Sequence, residues 1–513
     1  MAVIDSESGD STSVSIQQNV NDRDASKKVK IDGSQTRWII ITLVMYYFLA
    51  EGFTKTCFGQ VNNIVARFFD VSLEYVDWLT LAPAASSAVS LFFMTWMAAS
   101  GLVGLRRWCL TSAGFITLSF AFTVTGVLGR HLFPLAVLGQ ILAGTVHAIN
   151  FSLAPLMASS WFPEKEQPTA IALTYAGLNA GNIVGLLIPA NVVPKTNDTN
   201  GTMMSLTIDG EIEWDEKISM ALTAIFSSFL AASLVFGFFS FLFIFDAPSP
   251  MQLPDNQTVV EEERYQMRKK KRKESAFQIR INKARSATKG TIAVWVQSSK
   301  NLLTMRKFMV LAIPYGILMP LCLIWFVLMS DMLRSTRFET VIFLDISAEN
   351  ISTSNALFKT SSNVMAGYAV SLYCVGGLIS GAFTGKVAQL FNFHYARISC
   401  GATWGVVMAS VGIFVGFSVG SIECIFVFTL IFGLFVPVAA TALVALVIER
   451  VTSEDRLTVG TWLAIFSSAN ASLLPLFGRI FFENFGPSSI CIFQITLATV
   501  LAIFLIFVGR FLQ

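Results

Sequence analysis

Residues 218–245 read ISMALTAIFSSFLAASLVFGFFSFLFIF, with no Asp, Glu, Lys or Arg, and residues 268–273 read RKKKRK. A helix rises about 1.5 Å per residue, and about 20 apolar residues cross a hydrocarbon core roughly 30 Å thick. The first stretch therefore reads as a membrane-spanning helix, and the second as a charge block that cannot follow it into lipid. Working outward, similar runs lie near 38–62, 78–98, 108–128, 133–157 and 169–192 on one side. On the other side they lie near 306–331, 364–388, 397–417, 423–447, 458–480 and 488–511. Charged residues make up only 13% of the chain and hydrophobic ones 54%, which excludes an ordinary soluble domain. The expected fold class is an all-α polytopic membrane protein with twelve transmembrane helices, six on each side of a basic stretch.

Orientation follows from Lys and Arg, which resist translocation in short loops. With the N-terminus cytoplasmic, Arg106, Arg107, Lys165, Lys386, Arg397, Arg450, Arg456 and Arg510 all fall inside, as does the basic run. The loop 195–217 is acidic and falls outside, with Asp198, Asp209, Glu211, Glu213, Asp215 and Glu216. Both termini are expected to be cytoplasmic, in an integral protein of the plasma membrane. Asn197, Asn200 and Asn350 open glycosylation triplets in loops placed outside. Asn256 and Asn150 open triplets in the linker and within a span, and read as chance matches.

The chain divides into a polar tail at 1–36 expected to be disordered, a bundle at 37–246, a basic cytoplasmic linker at 247–304 and a second bundle at 305–513. Within the linker an amphipathic helix is expected around 276–298, with Phe277, Ile281, Ile292, Val294 and Trp295 on the inner leaflet. Arg268 to Lys273 would then meet anionic lipid headgroups; a solvated topogenic charge cluster is the other reading. The seven cysteines lie almost wholly in apolar spans, without metal-ligand spacing, and read as small buried hydrophobes. No P-loop, dinucleotide fingerprint, zinc site or nucleophile elbow is present, so no cofactor, no metal, no nucleic acid and no enzymatic activity is expected. The partners left are membrane lipids and a small-molecule substrate.

Six plus six helices joined by a long cytoplasmic linker is the layout of the major facilitator fold, two pseudo-symmetric bundles around a midplane site. Gly177, Gly181 and Gly185 recur every four residues in the fifth span, ahead of Pro189, and form a ridge on which another helix can pack closely. The facilitator signature between the second and third spans is reduced to Gly101, Gly104, Arg106 and Arg107, while the matching second-half loop retains Gly381, Gly385 and Lys386.

Several stretches resemble the feline leukaemia virus subgroup C receptor (FLVCR) family of solute carriers. They are Asp77-Trp78-Leu79, Leu138-Gly139-Gln140, Trp161-Phe162-Pro163-Glu164-Lys165-Glu166, the glycine ridge with Pro189, Val192-Val193-Pro194 and, more weakly, Pro314-Tyr315-Gly316. The resemblance covers the first half well and the second thinly. It implies a carrier of choline, ethanolamine or haem whose choline sits among aromatic and glutamine side chains. The family's first-span aromatic position falls at Lys55, its fourth-span glutamine at His147, its seventh-span tyrosine at Leu323 and its eleventh-span glutamine near Ser468. A ring face attracts a desolvated quaternary ammonium by about 2 kcal/mol. A Lys ammonium 4 Å away repels it by about 4 kcal/mol at an effective dielectric of ~20. The resemblance therefore points to the family's architecture with a changed pocket, and an anionic substrate stands as an alternative.

The buried polar residues carry the remaining signal. Glu51 and Lys55 stand four apart on one helix face, and ionisable groups inside a membrane usually face the bundle interior. They form a cavity pair, a self-neutralised structural pair, or a pair whose lysine snorkels toward the headgroups. His147 and Asn150, three apart in the fourth span, offer a proton-linked or haem-ligating site, or a hydrogen-bonded packing contact. Asn179 and Asn182 in the fifth span and Asn470 in the eleventh read as cavity lining or bundle-to-bundle contacts. Glu449 is expected to pair with Arg450 in a cytoplasmic gate. Two functional classes fit these features: an alternating-access carrier with Lys55 and His147 in its pocket, or a non-transporting receptor or scaffold worked through the linker.

Overall fold

The computed structural model describes residues 33–99, 103–162, 166–194, 208–244, 292–335, 362–391, 394–451 and 456–511. Among them are twelve helices long and apolar enough to cross a membrane, from Thr36–Phe69 to Pro487–Val508. Asn197, Asn200, Asn350 and the run Arg268 to Lys273 lie outside the described residues, as do residues 1–32 of the tail and 247–291 of the linker.

Two spans are broken where the sequence reads as continuous. The first runs as a helix Gly33–Thr56, passes through a 3-10 turn Gly59–Val61 and resumes as a helix Asn62–Phe69. The seventh is split into Arg306–Leu318 and Leu321–Ser335, because Pro320 has no N–H to donate and its ring crowds the preceding turn. The first break lies in the second half of its span, and the other close to the middle of its own. The sixth helix, Ile208–Phe243, begins ahead of the expected start at 218.

Close helix contacts repeat with a shift of six spans. The first span lies on the glycine ridge of the fifth, where a Cβ on Gly177 would stand 2.6 Å from the Met45 carbonyl oxygen and one on Gly181 would overlap that of Leu49. The seventh span meets the eleventh through Gly316 against Phe466 and Asn470. The fourth meets the second at Gly144 over Pro83 and Ser86, and the tenth meets the eighth at Gly433 over Tyr373. With no hydrophobic force between helices in lipid, small residues that let backbones touch set these pairings.

The largest apolar core draws on residues from Ile40 to Ile244, and the second on residues from Leu318 to Leu505 together with Leu81 and Leu186. Those two leucines carry second-half packing into the second and fifth spans. A Gly181→Ala variant is expected to lose about 1–3 kcal/mol through overpacking. Gly401→Ala, whose Cβ would meet nothing within 4 Å, should hold or gain up to about 1 kcal/mol. Thermal unfolding of the detergent-solubilised protein compares the two.

Residues 292–304 form a helix leading into the seventh span. The linker helix expected at 276–298 is thus seen from 292 onward, and its tryptophan is turned into the protein. Trp295 is buried with its ring edge-on to Phe92 of the second span at 4.4 Å, while Ile292 and Val294 stay exposed. Phe92 also meets Trp462 of the eleventh span, so this aromatic group sits at the seam between the two halves.

Candidate functional site

The first span has a sidedness that follows from its packing. Gly52 is pressed against the Leu178 carbonyl and Asn182 of the fifth span, which turns Glu51 and Lys55, spaced four apart, toward the fourth span. There Glu51 is met from three sides. Lys55 Nζ donates to Glu51 Oε1 at 2.6 Å, His147 Nδ1 approaches the same oxygen at 2.6 Å, and Asn150 Nδ2 donates to Oε2 at 2.9 Å. Asn150 also donates to the Tyr47 carbonyl at 3.3 Å and accepts from Ser112 of the third span at 2.9 Å.

Lys55 Nζ and His147 Nδ1 are 3.0 Å apart, closing a triangle of amine, imidazole and carboxylate. An approach of 2.6 Å between Nδ1 and Oε1 needs a hydrogen on one of those atoms. The cluster can therefore hold a proton between the first and fourth spans. Lys55 is held by the cluster, so it does not snorkel toward the headgroups.

The cluster presents two unequal faces. The Glu51 side chain is 1% exposed, whereas those of Lys55 and His147 are 22% and 23% exposed. The basic groups face an accessible cleft and the carboxylate lies behind them. Tyr175 of the fifth span, 37% exposed, stands within electrostatic reach of Glu51 and of Tyr315 in the seventh span. Cys322 of the seventh span is within electrostatic reach of Lys55, and its thiol donates to the Met319 carbonyl at 3.4 Å. The exposed side of the cluster thus turns toward the second half, where Tyr315 and Cys322 lie within electrostatic reach of Tyr175 and Lys55.

The other expected site residues sit on the fifth, seventh, tenth and eleventh spans. Leu323 is half-buried beside Cys322, and Ser468 is buried in the eleventh span. Asn179 faces Gly377 of the eighth span across the halves, whereas Asn182 packs on Gly52 within its own half. Asn470 donates to the Phe466 carbonyl of its own helix at 2.9 Å and touches the seventh span at Gly316. Glu449 is the correction. It and Arg450 are both exposed, and among the described residues neither forms an ion pair, so the expected gate bridge is absent there. Water solvates both groups at the end of the tenth helix, which removes the incentive to pair.

A charged assembly that sequence reasoning missed joins the halves at the end remote from the termini. Arg479 of the eleventh span is 3% exposed and grips Asp77 of the second span with two hydrogen bonds, Nε to Oδ2 at 2.7 Å and Nη2 to Oδ1 at 2.9 Å. Its Nη1 pairs with Asp331 Oδ2 of the seventh span at 2.8 Å, an oxygen that also accepts from Asn62 Nδ2 at 3.0 Å. Arg334 Nη2 donates to Asp331 Oδ1 at 2.7 Å, so two carboxylates face two guanidinium groups. Gln60 donating to the Phe326 carbonyl at 3.0 Å and Asn363 donating to Asn63 at 2.9 Å add to the same seal. Asp77 had entered only as part of a motif. The available signal was three charges at the apolar ends of the second, seventh and eleventh spans. A groove of about 610 Å³ lined by Leu128, Arg130, Asp215 and Met220 lies on the first half beyond this seal, away from the polar cluster.

Twelve spans in two halves around a buried polar cleft, closed at one end by an ionic seal, define a polytopic integral membrane protein of the carrier type. The chain belongs to the Major Facilitator Superfamily, whose family model matches residues 37–348. It is 29% identical over 165 residues to the choline/ethanolamine transporter FLVCR2 of Rattus norvegicus, covering 32% of this chain and 30% of that protein. It is 30% identical over 169 residues to the choline/ethanolamine transporter FLVCR1 of Mus musculus, covering 33% and 30%. The matched region thus spans about a third of these curated relatives. Among solved structures, the transporter FucP in its outward conformation aligns with a TM-score of 0.52 at 12% identity, over 92% of this chain and 99% of that one. A bacterial homologue of the human lysosomal transporter Spinster aligns with a TM-score of 0.58 at 12% identity, over 92% and 97%. The fold is that of the superfamily, and the related sequences are of the FLVCR type.

Proposed function

We propose that this protein is a solute carrier that moves a small polar organic solute across a membrane by alternating access. The observation that carries this reading is the buried cluster of Glu51, Lys55, His147 and Asn150, which opens its basic face onto the cleft between the halves. Ionisable groups are costly at this depth, and where they line an internal cleft they mark a substrate or ion path. Likeness to choline/ethanolamine transporters supports the same reading.

The seal of Asp77, Arg479, Asp331 and Asn62 then serves as the outer gate, with both termini cytoplasmic and the plasma membrane as the expected location. Residues 37–246 and 305–513 move as the two bodies, and the aromatic group of Phe92, Trp295 and Trp462 lies at the inner end of their seam.

The test combines flux and access. Proteoliposomes containing the protein are expected to take up at least one solute saturably from a panel of choline, ethanolamine, betaine and small monocarboxylates. In a variant retaining only Cys322 of the seven cysteines, a membrane-impermeant maleimide should reach that thiol from the cytoplasmic face alone. Saturable uptake of nothing on the panel, with Cys322 labelled equally from both faces, would count against a carrier.

A further inference from the structure

We infer that the cleft is built for a solute bearing an anionic group, a carboxylate or a phosphate ester, held by Lys55 together with the hydroxyls of Tyr175 and Tyr315. The inference rests on the carrier reading above and names the substrate class of that same cleft. Three observations carry it. First, the cluster shows the cleft its cationic side: Lys55 is 22% exposed while its counter-charge Glu51 is 1% exposed behind it. A solute therefore meets the ammonium at closer range than the carboxylate, and the nearer charge decides the sign of the local field.

Second, donors are left over. An ammonium has three N–H groups. Lys55 donates one to Glu51, and beyond its 3.0 Å approach to His147 Nδ1 it has no further partner among the described residues. The hydroxyls of Tyr175 and Tyr315, which lie within electrostatic reach of one another, have no hydrogen-bond partner among the described residues. Accessible donors left without partners suit an acceptor-only group such as an anionic oxygen, whereas a trimethylammonium could use none of them.

Third, the donors come from both bodies, Lys55 and Tyr175 from the first half and Tyr315 from the seventh span. An anion bridging them would couple occupancy to the relative position of the halves, as a transported solute must. A zwitterion offers these donors the same anionic oxygen as a simple anion does, so it satisfies them equally.

Choline, betaine and phosphocholine share a trimethylammonium group and differ in carrying a hydroxyl, a carboxylate or a phosphate. Binding of each to the purified full-length protein, followed by ligand-induced thermal stabilisation, isolates the anionic group. Betaine or phosphocholine is expected to bind at least tenfold tighter than choline, and whichever of the two does so identifies the anion. In Lys55→Arg the preference should persist, and in the doubly neutral Glu51→Gln/Lys55→Gln variant it should fall to within twofold. The double variant leaves no unpaired buried charge, so it is expected to remain folded. Choline binding as tightly as either anion, neither anion binding, or an unchanged preference in the double variant would each overturn the inference. Saturable choline flux in the same preparation would do so while leaving the carrier reading intact.

Discussion

Arg479→Met should destabilise the protein by about 3–5 kcal/mol, because it strands the carboxylate of Asp77 in an interior where that side chain is 2% exposed. Asp331 keeps Arg334 as a partner at 2.7 Å, so most of the loss is assigned to Asp77. Adding Asp77→Asn removes the stranded charge, and the double variant Asp77→Asn/Arg479→Met is expected to recover most of the stability. The comparison separates stability from gating. In the double variant the halves are no longer tied at this end, so Cys322 should become reactive toward an impermeant maleimide from the outer face. Thermal unfolding and sided labelling of the four members of the cycle provide the measurement. A double variant as unstable as Arg479→Met alone, or one with Cys322 still closed to the outer reagent, would remove the seal from the gating scheme.

Glu51→Ala is expected to be of similar size, about 3–5 kcal/mol, for the opposite sign of charge. It leaves Lys55 without a counter-ion and takes from Asn150 the acceptor it reaches at 2.9 Å. Restoring neutrality with Lys55→Met in the same chain should return most of the stability, since removing both members of a buried pair is often nearly neutral. Thermal unfolding of the two single variants and the double variant checks this. Stability unchanged in Glu51→Ala would mean that Lys55 is compensated by another group or by water. The two experiments address different ends of the same cleft, and their effects should add, because the residues share no partner.

Much of the architecture was legible because its signals are local. A run such as 218–245 declares itself within one window, and Gly177, Gly181 and Gly185 declare a packing ridge by spacing alone, which the contacts with Met45, Leu49 and Phe53 bear out. Glu51 and Lys55 were legible because a carboxylate and an amine four residues apart within an apolar helix have few other uses. His147 stood out because histidine is scarce, with three in the chain. The breaks at Gly59 and Pro320 were not read, since a short turn inside an apolar run barely alters its hydropathy.

The ionic seal was hidden for a different reason. Asp77, Asp331 and Arg479 lie near span ends, where charges ordinarily meet headgroups and water, and Asp77 and Arg479 are 402 residues apart in the chain. The expected bridge at Glu449 shows the converse error, since adjacent opposite charges at a helix end look paired in sequence and are separately solvated in space. Tyr175 escaped notice because aromatic residues are common in spans and Tyr315 entered only within a motif, and the structure brings the two within electrostatic reach of one another.

The amino-acid sequence by itself determined that this is a membrane protein of twelve spans in two sets of six, and which residues break the apolar pattern, because lipid filters each segment independently of its neighbours. The tertiary structure alone decided which of those breaks face one another. It placed the carboxylate of Glu51 behind the ammonium of Lys55 and closed Arg479 onto two acids from other spans. Such pairings depend on close helix approach at glycines far apart in the chain, and no local window contains them.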